Sequence, residues 1–257
     1  MTPSDGARIK ELVRDRYADL ARESASGSKG CESACCADDG PSQSPISALY
    51  RPEETGGLPT EALAASAGCG NPHAIETLQP GETVVDFGSG GGIDCFIAAR
   101  AVGTKGSVVG IDMTEDMVEL ARSNAKRLGL RNVEFHLSEM EHTPLEDGTV
   151  DAIISNCVIN LAPDKDKVFR EAYRILKMGG RLMVSDLVRV GEIPEEEADD
   201  DANWVECLAG TEMKDVYLRR MEAAGFTDVQ VVSSAPWSEQ GWRSNIHSIN
   251  VKAVKSV

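Results

Sequence analysis

The sequence has no run of about 18 apolar residues, the length a membrane-spanning helix needs, so no segment is expected to cross a bilayer. It also lacks a secretory leader pattern, because "MTPSDGARIKELVRDRY" carries no apolar stretch of the kind a signal peptide uses. Positive charge is short: 26 Lys and Arg face 42 Asp and Glu, a net charge of −16. Binding a nucleic-acid backbone requires clustered Lys and Arg, so nucleic acid is not an expected partner, and the acidity reads as a solvated surface. These absences place the chain in the cytoplasm. In that reducing compartment seven cysteines, an odd number, read as thiols and not as a fixed disulfide frame.

What is present is a globular core. Hydrophobic residues make up 41% of the 257, enough for one α/β domain with an appendage or two small domains. Ile9, Leu12, Val13, Tyr17 and Leu20 follow helical spacing, which predicts an amphipathic helix over 4–24 capped by Ser4 or Asp5. Residues 24–47 are rich in Ser, Gly and Asp and read as a loop or mobile segment, and they carry Cys31, Cys35 and Cys36. A short helix near 59–66 leads into the tight loop "SAGCGNP". From about residue 81, apolar strands ("TVVDFG", "SVVGID", "VEFHLS", "VDAIISNC", "RLMVSDL") alternate with amphipathic helices. Such alternation implies a parallel sheet covered on both faces. The helix over 164–177 is expected to stop before Gly179. Two helical stretches and an acidic run interrupt the alternation at 191–226, and "DVQVVSS" and "HSINVKAVKSV" return to strand.

"VVDFGSGGGID" follows the first strand and opens a helix. Gly88, Gly90 and Gly92 allow a tight turn and close approach of backbone to a ligand. The dinucleotide fingerprint fails, because its last position falls on Ile93. Asp86, at the strand end, suits a ligand with an ammonium group and would repel a pyrophosphate. Asp112 ends the next strand, where a carboxylate accepts ribose hydroxyls, and Glu139 after the third is placed to accept from an exocyclic adenine amine. This set resembles class I S-adenosylmethionine (SAM)-dependent methyltransferases. The resemblance implies a Rossmann-like, doubly wound, mostly parallel seven-stranded sheet whose last strand is antiparallel. It also implies an N-terminal helical segment and an insertion covering the substrate site. The same motifs put Ser89, Met113, Met140 and Asn156 at the cofactor, with Ser155 beside its methionine end. Tyr50 is a family-like aromatic near the cofactor, and Asn160 either contacts the donor or caps the following helix.

The cysteines carry the substrate question. Cys157 ends the fourth strand at the carboxyl edge, Cys69 sits in the loop before the sheet, and Cys207 lies in the insertion. Cys95 lies within a helix beside Ile93, Phe96 and Ile97 and reads as core packing. Zinc would need local ligand pairs, and the four histidines do not pair with the cysteines at such spacings. Thiols without imidazoles favour a soft ion, and a trivalent metalloid held by three thiolates fits better than four-coordinate zinc. "SAGCGNP", "VDFGSGGGID", "GIDMTEDMVELAR", "VDAIISNCVINLAPDKDKVFREAYRILKMGGRLMVSDLV" and "ECLAGT" resemble arsenite SAM methyltransferases over roughly residues 45–226. The resemblance implies that SAM methylates arsenite, free or as a thiol conjugate, held by Cys69, Cys157 and Cys207, in arsenic detoxification. Cys35 and Cys36 resemble the family's N-terminal pair, one of them taking part in redox cycling with glutathione or thioredoxin as reductant. A related methyltransferase of another small molecule or of antimonite is the alternative. The site thiols are expected to have lowered pKa values. The expected division is 1–48 for the helix and mobile Cys-containing segment, and 49–190 for the cofactor-binding core. Residues 191–257 then hold the arsenic-binding insertion and the strands that complete the sheet.

Overall fold

A computed structural model describes residues 3–26, 49–198 and 200–256. Cys31, Cys35 and Cys36, and with them the expected redox pair, lie outside the described residues. Among the described residues no helix is long and apolar enough to cross a membrane.

Seven strands form one sheet: β1 (Thr83–Phe87), β2 (Ser107–Asp112), β3 (Val133–Leu137), β4 (Val150–Asn156), β5 (Leu176–Arg189), β6 (Thr227–Pro236) and β7 (Ile246–Val254). Their order is β3-β2-β1-β4-β5-β7-β6. Parallel pairing runs from β3 to β5, and β7 lies antiparallel to both β5 and β6. The expected seven-stranded sheet with its antiparallel last strand is therefore the observed one.

The central strands read as nearly continuous apolar runs because both of their faces are buried. In β1, Val84 packs into a cluster with Phe96, Ala98 and Val102 of α4 (Ile93–Val102) and Val118 and Ala121 of α5 (Glu115–Leu128). Val85 faces the other way, into a cluster with Val168, Phe169 and Ile175 of α6 (Lys165–Ile175) and Tyr217 and Met221 of α9 (Lys214–Ala223). The remaining helices are α1 (Pro3–Ala25), α2 (Pro52–Thr55), α3 (Thr60–Ala64), α7 (Glu195–Ala198) and α8 (Asp201–Val205).

Two local expectations fail. Helix α6 ends two residues short of the expected 177. It stops at Ile175, and Leu176 is already extended and paired with Val150 of β4. Gly179 supplies its left-handed residue (φ 81°) inside β5 instead of past a helix end. Pairing with the neighbouring strand has overridden a helical apolar stripe. Among the described residues the insertion holds three helices, α7 to α9, where two were expected.

Candidate active site

The strand order reverses between β1 and β4, and their carboxyl ends open a cleft there, as open α/β sheets do at a topological switch point. Its wall includes Gly88, Ser89, Gly90, Asp112, Met113, Glu139, Met140 and Asn156, all expected at the cofactor. Gly88 has φ 74°, and a Cβ there would overlap the Val158 side chain, so only glycine lets the loop pass. Ser89 Oγ is buried in this wall with no hydrogen-bond partner. Asp112 ties the loop together: its carboxylate accepts from the Gly90 and Thr114 amides, each at 2.9 Å. Burial pushes its pKa up, and those amide bonds oppose the rise.

Three expected cofactor residues are placed differently. Asp86 does not line the cleft. It lies 2% exposed beneath the loop, where Cys95 Sγ donates to it at 3.3 Å. Burial, reinforced by nearby Asp94, pushes its pKa well up. Gly92 is the N-cap of α4, one step behind the wall. Ser155 is fully buried and donates to the Phe87 carbonyl at 3.4 Å, which secures β4 to β1. Glu139 does line the cleft, but its carboxylate is held by Lys10 of α1 at 2.7 Å, and Lys10 also reaches Glu141 at 2.8 Å.

Asp94 also lines the cleft wall, and the sequence reading missed it. Tyr50, buried behind it, donates to Asp94 at 2.8 and 2.9 Å, and His73 Nε2 stands 3.0 Å from it. Asn156 joins this network to the Cys69 loop. Its Nδ2 donates to Tyr50 Oη (2.8 Å) and the Gly70 carbonyl (2.9 Å), while its Oδ1 accepts from the Cys69 and Gly70 amides at 3.1 and 3.2 Å. One side chain thus fixes both a cleft wall and a cysteine loop.

Cys69, Cys157 and Cys207 meet in one buried apolar cluster with Ile9, Val13, Leu161, Leu187 and Leu208. The expectation of thiols throughout is corrected for two of them: Cys69 and Cys157 are joined in a disulfide, with Cα atoms 5.5 Å apart. The Asn156 bonds to the Cys69 loop, together with the Cys157 amide donating to Ser185 O at 2.8 Å, bring the two cysteines into bonding range. Cys207 is a free thiol whose Sγ donates to the Cys157 carbonyl at 2.8 Å. Cys157 and Cys207 both adopt left-handed backbone, φ 57° and 63°. Non-glycine residues held there cluster at functional sites. Gly210 makes the approach of the Cys207 loop possible, because a Cβ on it would overlap the Asn160 carbonyl oxygen.

The lowered thiol pKa is not observed at Cys207. Burial and the nearby Asp186 carboxylate push it well up, against a hydrogen bond from Tyr17 and the charge of Lys165. Cys95, fully buried in α4, packs as expected, with the added bond to Asp86. Asn160 neither touches the cleft wall nor caps a helix. It is fully buried and donates to Asp186 Oδ1 (2.8 Å) and the Leu187 carbonyl (2.6 Å), while the α6 cap is Asp164. Asp186 itself, unremarked in the sequence, is fully buried at the end of the apolar run "RLMVSD". It also accepts from Leu187 N and Tyr217 Oη, each at 2.9 Å, and burial raises its pKa to about 6.

This sheet order, with a glycine-loop cleft at the switch point, defines a class I SAM-dependent methyltransferase. The model of the methyltransferase-domain family matches residues 78–225, and the chain belongs to that family and, within it, to the arsenite methyltransferases. It is 38% identical to an arsenite methyltransferase of Halobacterium salinarum, over 88% of this chain and 59% of that protein. It is 40% identical to one from Aquipseudomonas alcaligenes, over 69% and 53%. The crystal structure of an arsenic(III) SAM methyltransferase from Chlamydomonas reinhardtii superposes with a TM-score of 0.71 at 35% identity, covering 79% of this chain and 73% of that one. The chain spans between half and three fifths of the length of these two curated relatives.

Proposed function

We propose that this chain transfers methyl groups from SAM to trivalent arsenic held by Cys69, Cys157 and Cys207. The observation that carries the reading is one cluster that gathers these three cysteines, from loops far apart in sequence, with Cys157 itself on the wall of the glycine-loop cleft. The residues present fit SAM. The unpartnered Ser89 hydroxyl and the Gly88–Gly90 backbone face the cleft, and Asp112 has acceptor capacity for a ribose. Asp94 on the same wall supplies negative charge for an ammonium, with Asn156 beside it. When bound, SAM supplies an electrophilic methyl on a positively charged sulfur.

The chain's own work is positioning, which can supply on the order of 7–11 kcal/mol of a barrier. No general base is needed, because trivalent arsenic is nucleophilic through its lone pair and the leaving thioether is neutral. The cysteine sulfurs hold arsenic and exclude oxygen ligands, whether it arrives as arsenite or as a thiol conjugate. The apolar cluster around them excludes water. The Cys69–Cys157 disulfide accepts two electrons and two protons from a thiol reductant before both sulfurs can bind arsenic. Transfer oxidises arsenic by two electrons. Two thiols return them by forming a disulfide, which glutathione or thioredoxin then reduces. Cys35 and Cys36 are proposed for that exchange, in a cytoplasmic detoxification.

The test is direct. Incubating the reduced chain with SAM, arsenite and a thiol reductant is expected to yield methylated arsenic by chromatography with mass detection. An absence of product, with SAM shown to bind, sinks the reading.

A further inference from the structure

Two of the thiols proposed to hold arsenic belong to a second donor set, whose third member the methyl-transfer reading does not use. Cys69 Sγ, Cys157 Sγ and a carboxylate oxygen of Asp186 all lie within 4.8 Å of one another, and all three residues are buried. Cys207 is not a member of this set. We infer that, once the disulfide is reduced, Cys69, Cys157 and Asp186 form a site for a divalent thiophilic cation such as zinc or cadmium, which competes with arsenic for two of its sulfurs.

Geometry supports this first. Zinc binds sulfur at about 2.3 Å and carboxylate oxygen at about 2.0–2.2 Å, and ligands spaced as these are close around such an ion by side-chain rotation alone. The donor set supports it second. Two thiolates and a carboxylate, with water completing four positions, suit a borderline divalent ion, whereas trivalent arsenic takes its third bond from a thiolate. The carboxylate is also oriented as a metal ligand is. Asn160 and the Leu187 amide occupy Oδ1, Tyr217 donates to Oδ2, and these bonds lock its rotamer.

Charge supports it third. Lys165 is 6% exposed, its ammonium faces the Asn160 and Ala162 carbonyls at 3.4 Å, and its charge is felt at Asp186. In the metal-bound state, two thiolates, one carboxylate and one ammonium carry a net charge of minus two in a buried space. One divalent cation cancels it, and burial without such compensation is costly. Reduction supplies the site's chemistry: a phosphine and water convert the disulfide to two thiols and phosphine oxide, and metal binding then releases the two thiol protons.

The experiment uses the full chain with Cys31, Cys35 and Cys36 replaced by serine, so that only described thiols remain. It is reduced with a phosphine and titrated with Cd2+ while the thiolate-to-cadmium ultraviolet band is followed. One Cd2+ per chain is expected. Asp186→Asn should weaken its binding by about 10–100-fold or more, the range for lost metal-site partners. Cys157→Ser should abolish the band, and Cys207→Ser should leave it unchanged. Equal binding by Asp186→Asn, or loss of the band in Cys207→Ser, overturns the proposal. Should Asp186→Asn fail to fold, X-ray absorption of the Cd2+-loaded parent decides: two sulfurs with lighter ligands support the site, and three sulfurs overturn it. Arsenite methylation by the unaltered chain is measured separately, so a failure of the arsenic reading leaves a Cd2+ result of either sign interpretable.

Discussion

The donor side and the acceptor side of this site are built on different principles. The donor cleft is organised around the loop that follows β1, where Gly88 turns through φ 74° and Asp112, at the end of the neighbouring strand, ties the Gly90 amide down. Backbone geometry does the positioning in that loop. The acceptor side draws Cys69, Cys157 and Cys207 from three loops, and side chains hold each of them. Asn156 grips the Cys69 loop, Ser248 donates to the Cys69 carbonyl at 2.9 Å, and Cys207 hangs on the Cys157 carbonyl. A turn fixed by its own backbone depends on few side chains, whereas a cluster of loop cysteines depends on the side chains that hold the loops.

The comparison can be broken by separating the two functions. The largest effect is expected from Cys157→Ser: arsenic methylation falls to background while affinity for S-adenosylhomocysteine, measured by calorimetry, is unchanged. Next comes the reverse case, Asp112→Ala. Bonds to a charged group contribute about 1.5–3 kcal/mol each, so cofactor affinity should weaken by roughly 10–100-fold in the same calorimetric assay. Binding of a trivalent arsenical to the reduced thiols should persist.

Gly210→Ala forces the Cys207 loop away from the Asn160 carbonyl. Overpacking of this kind costs about 1–3 kcal/mol. Denaturant unfolding should report that loss, and methylation should slow with no change in cofactor affinity. Tyr17→Phe is the mildest. It removes a hydrogen bond to Cys207, about 0.5–1.5 kcal/mol, so arsenical affinity should drop severalfold or less in a competition titration. A loss of cofactor affinity as large as that of Asp112→Ala would show instead that α1, which lines the cleft with Lys10, Val13 and Tyr17, governs the donor side.

The two sides also differed in how far they could be read from sequence. Strand–helix alternation and the glycine loop are local patterns, so the sheet, its antiparallel last strand and most of the cleft wall were legible. Cys69, Cys157 and Cys207 were legible as loop residues at one edge of the sheet, and the structure gathers them in one cluster. Their pairing was not, because the Cys69–Cys157 bond depends on Asn156 reaching across a sequence separation of 88 residues between the cysteines. Asp86 illustrates a second limit. An acid at a strand end was legible, but whether it faces the cleft or lies beneath the loop depends on packing, and Asp94, one residue into α4, is the one on the cleft wall. The thiol pKa failed for a similar reason: burial in an apolar cluster outweighs Lys165 and Tyr17 at Cys207. Gly179 was a plausible helix stop until pairing with β4 claimed Leu176.

The central claim is that three sulfurs converge on one arsenic beside the donor cleft, and arsenic X-ray absorption on the reduced, arsenite-loaded chain tests it most directly. The account predicts three sulfur neighbours in the parent, with one replaced by oxygen in Cys207→Ser. A sulfur shell that is unchanged by Cys207→Ser, or arsenic that keeps its oxygen ligands in the parent, would contradict it.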